Sequence, residues 1–218
     1  MTFPKKNVLN FDKGGADSKS RILNTATSIF AEKGLDGARV DEIAEKAEIN
    51  KRMIYHYFGN KENLYIEVLR TNLQKICDVS AEGYNPNDDF KINLKRVLER
   101  YFYFLAANEE FVRLINWEAL NRGVYIDKLL SEFRNQYQES LNQLLETGIK
   151  SGILSQDLDI EQLMLSIDGL CLIYFSHNET FKRLWSKKSN SKEMLNKRIE
   201  HIYQLLMNGI ILENKKQE

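Results

Sequence analysis

Apolar residues recur at spacings of three and four along most of the chain, which is the period of one buried face of an α-helix. Three short segments of this kind follow one another between residues 17 and 62, separated by tight turns. Gly34, directly after Lys33, ends the first segment, because glycine and a terminal cation both suit a helix C-terminus. Three short amphipathic helices of this size are typical of a helix-turn-helix unit. Their buried faces are formed by Ile22, Ala26, Ile29 and Phe30, then by Val40, Ile43, Ala44 and Ala47, and then by Ile54 and Phe58.

Longer helical segments fill the rest of the chain. Asn60 can cap a fourth helix directly after it, and Asp88 with Asp89 suits the start of a fifth. Asp159 stands three residues before Gln162, the spacing of a capping box at the start of another helix. Only 2 Pro and 11 Gly interrupt the sequence, and no segment alternates as a strand would. The pattern therefore predicts an all-α fold of about nine helices.

The same pattern divides the chain into three parts. Residues 1–16 are polar and contain Pro4 and two adjacent glycines, which predicts a flexible arm. Residues 17–62 form the predicted helix-turn-helix unit, and residues 63–214 form a larger helical domain. A hydrophobic fraction of 43% is enough for a sizeable core in that domain.

Charge and cysteine content restrict the possible functions. Lys and Arg total 31, as do Asp and Glu, so any nucleic-acid site must be a local basic patch. Cys77 and Cys171 lie far apart, and no CxxC motif or Cys/His cluster occurs, so we expect neither a metal site nor a cofactor. They can be free buried thiols or, alternatively, a redox-sensing pair. No apolar run approaches the ~20 residues that span a bilayer, and no secretory signal is present. We therefore expect a cytoplasmic protein without a membrane partner.

One short segment carries the clearest chemistry. From residue 50 to residue 61 no acidic residue occurs, and cations are interleaved with aromatic residues: Lys51, Arg52, Tyr55, His56, Tyr57 and Lys61. On a helix, Arg52, Tyr55 and His56 share one face. Ile54 and Phe58 point the opposite way, toward the core of the three helices. A helix that presents cations and phenols at its N-terminal end favours contact with nucleic acid.

The segment from residue 40 to residue 64 resembles the helix-turn-helix of the TetR family of bacterial transcriptional regulators. Three positions depart from the family pattern. Ala38-Arg39 replaces the usual hydroxyl residue before the second helix. Glu48 replaces the turn glycine, which costs about 1 kcal/mol if the position is left-handed. Asn50 replaces a serine and can cap the third helix equally well. The matching positions are Ile43, Ala44, Ala47, Ile49, Ile54, Tyr55, Tyr57, Phe58, Lys61 and Leu64.

The resemblance implies a homodimeric repressor that binds a palindromic operator in double-stranded DNA and is released by a small-molecule inducer. Lys51, Arg52 and Tyr55 would contact base edges or thymine methyl groups in the major groove. Phosphate groups would be held by Arg39, Asn50, His56, Tyr57 and Lys61.

The resemblance also implies that the last helices form the dimer interface. Two apolar stripes fit that role, because each is too apolar to remain in water. Two such helices from each subunit would form an antiparallel four-helix interface. The alternative is that both stripes pack inside one subunit. The first stripe is Leu163, Ile167, Leu170, Cys171 and Tyr174, and the second is Ile199, Ile202, Leu206 and Ile210.

Aromatic residues in the larger domain mark a candidate effector pocket. The run from residue 101 to residue 104 is wholly aromatic, and the segment from residue 111 to residue 123 resembles the family branch that includes a pyrimidine-responsive regulator. Asp168 interrupts an apolar face, so we expect it to be buried with a partner. An aromatic stripe at helical spacing can equally be plain core. The expected ligand contacts are Tyr103, Trp117, Asn121, Tyr125 and Asp168, and the effector itself is unknown.

Two other functions compete with this interpretation. The first is a DNA-binding protein of the same fold without a small-molecule ligand, controlled by a protein partner or acting architecturally. The second is a helical enzyme. His56, His177 and His201 lie far apart, and no nucleophile elbow, phosphate-binding loop or zinc-protease motif occurs, so we expect no enzymatic activity.

Overall fold

The computed structural model describes residues 12–185 and 191–210 of the chain. Within these ranges it contains ten α-helices, one short 3₁₀ helix and no strand, which confirms the all-α prediction. The helices are α1 (Asp12–Gly37), α2 (Val40–Lys46), α3 (Lys51–Phe58), α4 (Lys61–Ala81), α5 (Phe90–Ala107), α6 (Glu109–Leu120), the 3₁₀ helix (Asp127–Leu129), α7 (Leu130–Lys150), α8 (Ile160–Ser176), α9 (Asn178–Trp185) and α10 (Lys192–Ile210).

One feature of the predicted organisation differs from the structure. His177 leaves the helical conformation at φ −106° and ψ 16°, so the short helix α9 is separate from α8 and raises the number of helices in the described residues above nine. The chain divides into two compact units, Met1–Leu69 and Arg70–Glu218, while the domain bounds 17–62 and 63–214 stay a prediction. The first turns of α4 therefore belong to the N-terminal unit, because Leu64, Tyr65 and Val68 are buried in its core.

Part of the predicted N-terminal arm is helical in the structure. Residues 12–16 already belong to α1, and residues 1–11 lie outside the part of the chain that the structure describes. Gly14 and Gly15 weaken a helix by about 1 kcal/mol each relative to alanine. They do not stop α1, because extending an existing helix adds one hydrogen bond for each residue. At the other end Gly34 has φ 67° and ψ 178°, so the regular helix breaks where the sequence predicts.

The core of the N-terminal unit is built from the predicted apolar faces. Ile22, Ile43 and Ile54 are fully buried, one from each of the first three helices. The rings of Phe30 and Tyr65 meet edge to face with centroids 5.0 Å apart, which joins α1 to α4. The three-helix arrangement predicted from the spacing is therefore confirmed.

The C-terminal unit surrounds a second core of aromatic and aliphatic side chains. Phe90, Phe102 and Leu105 of α5 are buried at its centre, and α7, α8 and α10 all pack against α5. Asp89 caps α5 and Asp159 caps α8 through their side chains, which confirms both predicted starts. Among the helices that the structure describes, none has the length and apolar character needed to cross a membrane.

Candidate nucleic-acid interface and regulatory cavities

Helix α3 is fixed at both ends by its own sequence. The Asn50 side chain accepts a hydrogen bond from the Arg52 N–H at 2.9 Å, so the asparagine caps the helix as predicted. Ile54 and Phe58 are buried in the core of the N-terminal unit. Because these two anchors lie on one side of the helix, the residues between them are turned outward.

The outward face of α3 carries Arg52, Tyr55 and His56, and all three side chains are exposed. The Arg52 guanidinium makes no side-chain hydrogen bond or ion pair to the residues that the structure describes. His56 contacts the half-buried Tyr57 edge to face at 5.3 Å between centroids. The structure therefore brings together a guanidinium, a phenol and an imidazole on the exposed face of one helix.

Lys51 shares this surface but is held by a carboxylate. Its Nζ lies 2.6 Å from Oδ1 of Asp41 and 6.0 Å from the centre of the Tyr55 ring. The hydrogen bond to Asp41 raises the pKa of Lys51 above its ordinary value, so the ammonium remains charged. This ion pair was not expected from the sequence, because Asp41 lies on α2 and ten residues separate the partners.

Arg39 and Lys61 lie at the starts of two helices of the same unit. Arg39 is exposed at the N-cap position of α2 and makes no side-chain cap hydrogen bond. Lys61 is half-buried, and its Nζ donates to the Ala38 carbonyl at 3.1 Å. One N–H of the ammonium is thus used inside the protein, and two remain for a ligand.

The turn between α2 and α3 contains the predicted departure from the family pattern. Glu48 is left-handed at φ 53°, the conformation that glycine would adopt without strain. Arg21 of α1 donates to the carbonyls of Ala47 and Glu48, at 2.5 Å and 3.2 Å. These bonds stabilise the strained turn and so fix the entry to α3, a role for Arg21 that spacing alone could not reveal.

The C-terminal unit contains a small cavity beside Asp168, called here the Tyr101 cavity. Its volume is about 70 Å³, well below the ~300–1,000 Å³ of typical ligand pockets. The prediction that Asp168 is buried is wrong, because it lies on an exposed position of α8. Its carboxylate accepts a hydrogen bond from the Tyr101 hydroxyl. The lining residues are Ser80, Leu94, Val97, Leu98, Tyr101, Leu144, Leu145, Leu163, Met164, Ile167 and Asp168.

A larger cavity, the α4–α7 cavity, lies between α4, the 3₁₀ helix and the start of α7. Its volume is about 270 Å³. It is lined by Leu73, Ile76, Cys77, Ile126, Leu129, Leu130, Phe133 and Arg134.

The other four expected ligand contacts line neither cavity. Tyr103 is on an exposed side of α5, where its hydroxyl donates to Oδ1 of Asn196 at 2.5 Å. Asn121 ends α6, with its N–H bonded to the carbonyl of the half-buried Trp117 at 2.9 Å. Lys128 covers the Tyr125 ring with its Nζ 4.9 Å from the ring centre. Of the five expected ligand contacts, Asp168 is thus the one that lines either of these two cavities.

The two predicted interface stripes face the core of their own chain. Leu163, Cys171, Ile199, Ile202 and Leu206 are buried in the C-terminal unit. Partly buried Ile167, Leu170 and Tyr174 pack against the same core, and the Ile210 side chain lies outside the described residues. Packing within one subunit, the alternative, therefore describes the five buried residues, and an interface role for the half-buried ones stays a prediction. The physical reason is that α8 is apolar on nearly every side, so its inner stripe is as hydrophobic as any outer one.

A different set of apolar residues is exposed on α8 and α10. Leu165 is 66% exposed and Ile173, eight residues later on the same face of α8, is 40% exposed. Leu205 on α10 is 47% exposed. These three large apolar side chains are thus exposed on two helices that pack against each other.

Both cysteines are buried and free. Burial raises the pKa of Cys77 above its ordinary value and that of Cys171 to about 12. The thiolate is the reactive form of cysteine, so both side chains are suited to packing rather than to redox sensing.

A buried carboxylate, Glu118 of α6, organises the segment before α7. Its Oε2 accepts hydrogen bonds from the N–H groups of Tyr125 and Ile126 at 3.1 Å and 2.9 Å, and only 2% of the residue is exposed. This role could not be predicted from the sequence, because a glutamate in a helix is usually solvated.

Replacing Glu118 with alanine is expected to lower the free energy of unfolding by about 2–4 kcal/mol, because two N–H groups would lose their acceptor in a buried site. Urea denaturation at fixed protein concentration measures this change. Glu161→Ala, at an exposed position in the first turn of α8, is the matched control. A Glu118→Ala loss no larger than that of the control would contradict the assigned role.

Comparisons with known proteins agree with this geometry. Residues 22–68 match the family of bacterial regulatory proteins called the tetR family, and residues 91–206 match the tetracyclin repressor-like C-terminal domain. The chain is 28% identical over 165 residues to the HTH-type transcriptional repressor NicS of Pseudomonas putida, covering 75% of this chain and 78% of that protein. It is 32% identical over 159 residues to the HTH-type transcriptional regulator YdeS of Bacillus subtilis, covering 70% and 72%. A solved TetR family transcription regulator from Marinobacter aquaeolei superposes with a TM-score of 0.72 at 15% identity, covering 92% of this chain and 99% of that one.

Proposed function

The chain belongs to the TetR family of bacterial regulatory proteins, and from this premise we propose that it is a homodimeric, cytoplasmic repressor released from its operator by a small-molecule effector. The observation that carries the DNA-binding half of this proposal is the outward face of α3. There Arg52, Tyr55 and His56 are exposed together while Ile54 and Phe58 hold the helix from behind.

We expect the N-terminal turns of α3 to contact the bases, because this part of a recognition helix enters the major groove. The Arg52 guanidinium has the planar fork that pairs with O6 and N7 of guanine. Tyr55 offers an apolar ring edge to a thymine methyl, and Lys51 reaches a base once it exchanges Asp41 for DNA.

Phosphate contacts position the helix on the duplex without reading sequence. Arg39 and His56 are exposed for this role. The amide group of Asn50 can still donate while its oxygen caps α3. Tyr57 and Lys61 supply further donors from half-buried positions.

Replacing Lys61 with alanine is expected to weaken binding to all DNA sequences alike and to reduce the slope of log K against log salt by about 1 for each protomer. The reason is that the ammonium neutralises one phosphate and contacts no base. Fluorescence anisotropy over a salt series measures the slope. Lys91→Ala, an exposed change on α5, is the control, and an unchanged slope for Lys61→Ala would contradict the phosphate contact.

Dimerisation through α8 and α10 is supported by the exposed stripe of Leu165, Ile173 and Leu205. A two-fold dimer presents two copies of α3, which matches an operator with two half-sites about one helical turn apart. Selection from a random DNA library tests the proposal. A palindrome with that spacing is the expected product, and the absence of any enriched sequence would contradict it.

Release by an effector requires a ligand that binds the DNA-incompetent state more tightly than the competent one. Helix α4 spans the division between the two units, and its residues Leu73, Ile76 and Cys77 line the α4–α7 cavity. A ligand in this cavity therefore contacts the helix that continues into the DNA-binding unit.

The second candidate function is a DNA-binding protein of this fold without a small-molecule ligand. The small size of the Tyr101 cavity, about 70 Å³, favours it. The α4–α7 cavity, whose volume of about 270 Å³ is just below the ~300–1,000 Å³ of typical ligand pockets, favours a ligand-responsive protein instead. Screening small molecules for operator release separates the two candidates. We propose no enzymatic function, because the chain's histidines are dispersed and its relatives are named as regulators.

A further inference from the structure

The α4–α7 cavity combines an apolar lining with a single charge. Seven of its eight lining residues are hydrophobic, and no acidic residue lies among them. The one charged lining residue is Arg134, which is exposed near the start of α7. An apolar trough with one cation at its edge matches a ligand that has an apolar body and one anionic end.

Arg134 is exposed, whereas Arg70, a basic residue of α4, is paired with a carboxylate. The Arg70 guanidinium makes two hydrogen bonds to Glu132, from Nε at 2.8 Å and from Nη2 at 3.1 Å. Glu132 is thereby neutralised within the protein. In the described part of the chain, Arg134 itself makes no ion pair or side-chain hydrogen bond.

One residue of the cavity wall is held in place by a hydrogen bond within the chain. Ile126 lines the cavity, and its N–H is held by the buried Glu118. The preceding turn contains Arg122 at φ 59° and Gly123 at φ 70°. The left-handed Arg122 is disfavoured on its own, so the hydrogen bonds to Glu118 stabilise the turn that places Ile126. A site whose wall is fixed loses less entropy when it binds a ligand.

We propose that the α4–α7 cavity is the effector site and that its ligand is a small amphiphilic carboxylate. The apolar body lies against Leu73, Ile76 and Phe133, and the carboxylate binds Arg134. The inference rests on the proposed function and names the effector class. It also places the effector site in the α4–α7 cavity rather than in the smaller Tyr101 cavity, because Asp168 in the wall of the latter would repel a carboxylate.

Calorimetric titration of the full chain without DNA tests whether the protein prefers a carboxylate to an uncharged ligand. Decanoate at sub-micellar concentration is the probe, and decanol is its uncharged match. Decanoate is expected to bind at least about tenfold more tightly than decanol. Arg134→Gln is expected to remove this preference and leave decanol binding unchanged, while Arg183→Gln, an exposed arginine of α9, changes neither. Equal affinity of the two probes, or an undiminished preference in Arg134→Gln, would overturn the proposal.

The position of the ligand is tested by a cysteine that lines the cavity. Cys77 is in the lining, whereas Cys171 is not. Slow alkylation followed by peptide mass measurement is expected to show that decanoate protects Cys77 and leaves the rate at Cys171 unchanged. Equal effects on both cysteines, or no protection of Cys77, would overturn the assignment to this cavity.

Measuring operator binding in the presence of decanoate distinguishes failure of the proposed site from failure of the proposed function. Decanoate binding that depends on Arg134 in a protein without operator affinity would support the site and contradict the proposed function. Operator binding without any decanoate binding would overturn the site alone.

Discussion

Replacing Leu165 with aspartate is expected to give a folded monomer whose operator affinity is lower by about 100-fold or more. Leu165 is 66% exposed on α8 within one chain, so the change should not disturb the core. In the proposed dimer the same position is covered by the partner, where an unpaired carboxylate is strongly unfavourable. In a monomer, a single α3 binds a single half-site, so the gain in operator affinity from binding two linked half-sites is lost.

Sedimentation velocity at micromolar concentration, followed by anisotropy on the operator, measures both effects. Leu120→Asp is the matched control, because Leu120 is 73% exposed at the end of α6 and lies on neither α8 nor α10. The control should remain a dimer and bind the operator normally. A Leu165→Asp protein that remains a dimer would contradict the proposed interface.

Replacing Arg52 with alanine is expected to weaken operator binding by about 1–3 kcal/mol for each half-site and to relax the sequence preference at one base pair. The guanidinium has no side-chain partner in the described residues, so the change removes no intramolecular interaction. Stability should therefore change by less than about 0.5 kcal/mol, as for other surface substitutions.

The variant Arg52→Lys gives a second test, because lysine keeps the positive charge but lacks the planar guanidinium that pairs with guanine. Binding to non-specific DNA should be preserved in Arg52→Lys, while the preference at the contacted base pair falls. Measured Kd values on the operator and on variants at that base pair report the difference. If Arg52→Ala binds the operator as tightly as the unaltered protein, base reading by this residue is excluded.

The DNA-binding unit was predictable because its geometry is local. The four-residue spacing of Ile54 and Phe58 defines the buried side of α3, so the exposed side follows directly. The caps at Asn50, Asp89 and Asp159 were predictable for the same reason, since each cap acts two or three residues along the chain. Contacts across the fold were not predictable, as the bonds from Arg21 to the α2–α3 turn illustrate.

The C-terminal unit was predicted less well, because its surfaces depend on how whole helices pack. Helix α8 is apolar on both its inner and outer sides, so spacing could not tell Leu163, which is buried, from Leu165, which is exposed. Aromatic content failed as a guide to a cavity for a related reason. Tyr103 lies at the surface, whereas the α4–α7 cavity is lined mainly by aliphatic residues.

Operator binding at two salt concentrations tests whether this chain is a dimeric, sequence-specific DNA-binding regulator. The DNA upstream of its own gene, or the selected palindrome, would be titrated by anisotropy against a scrambled duplex. We predict selective binding by two protomers per operator, with affinity that falls steeply as salt rises. Equal, weak binding to both duplexes at each salt concentration would contradict the claim.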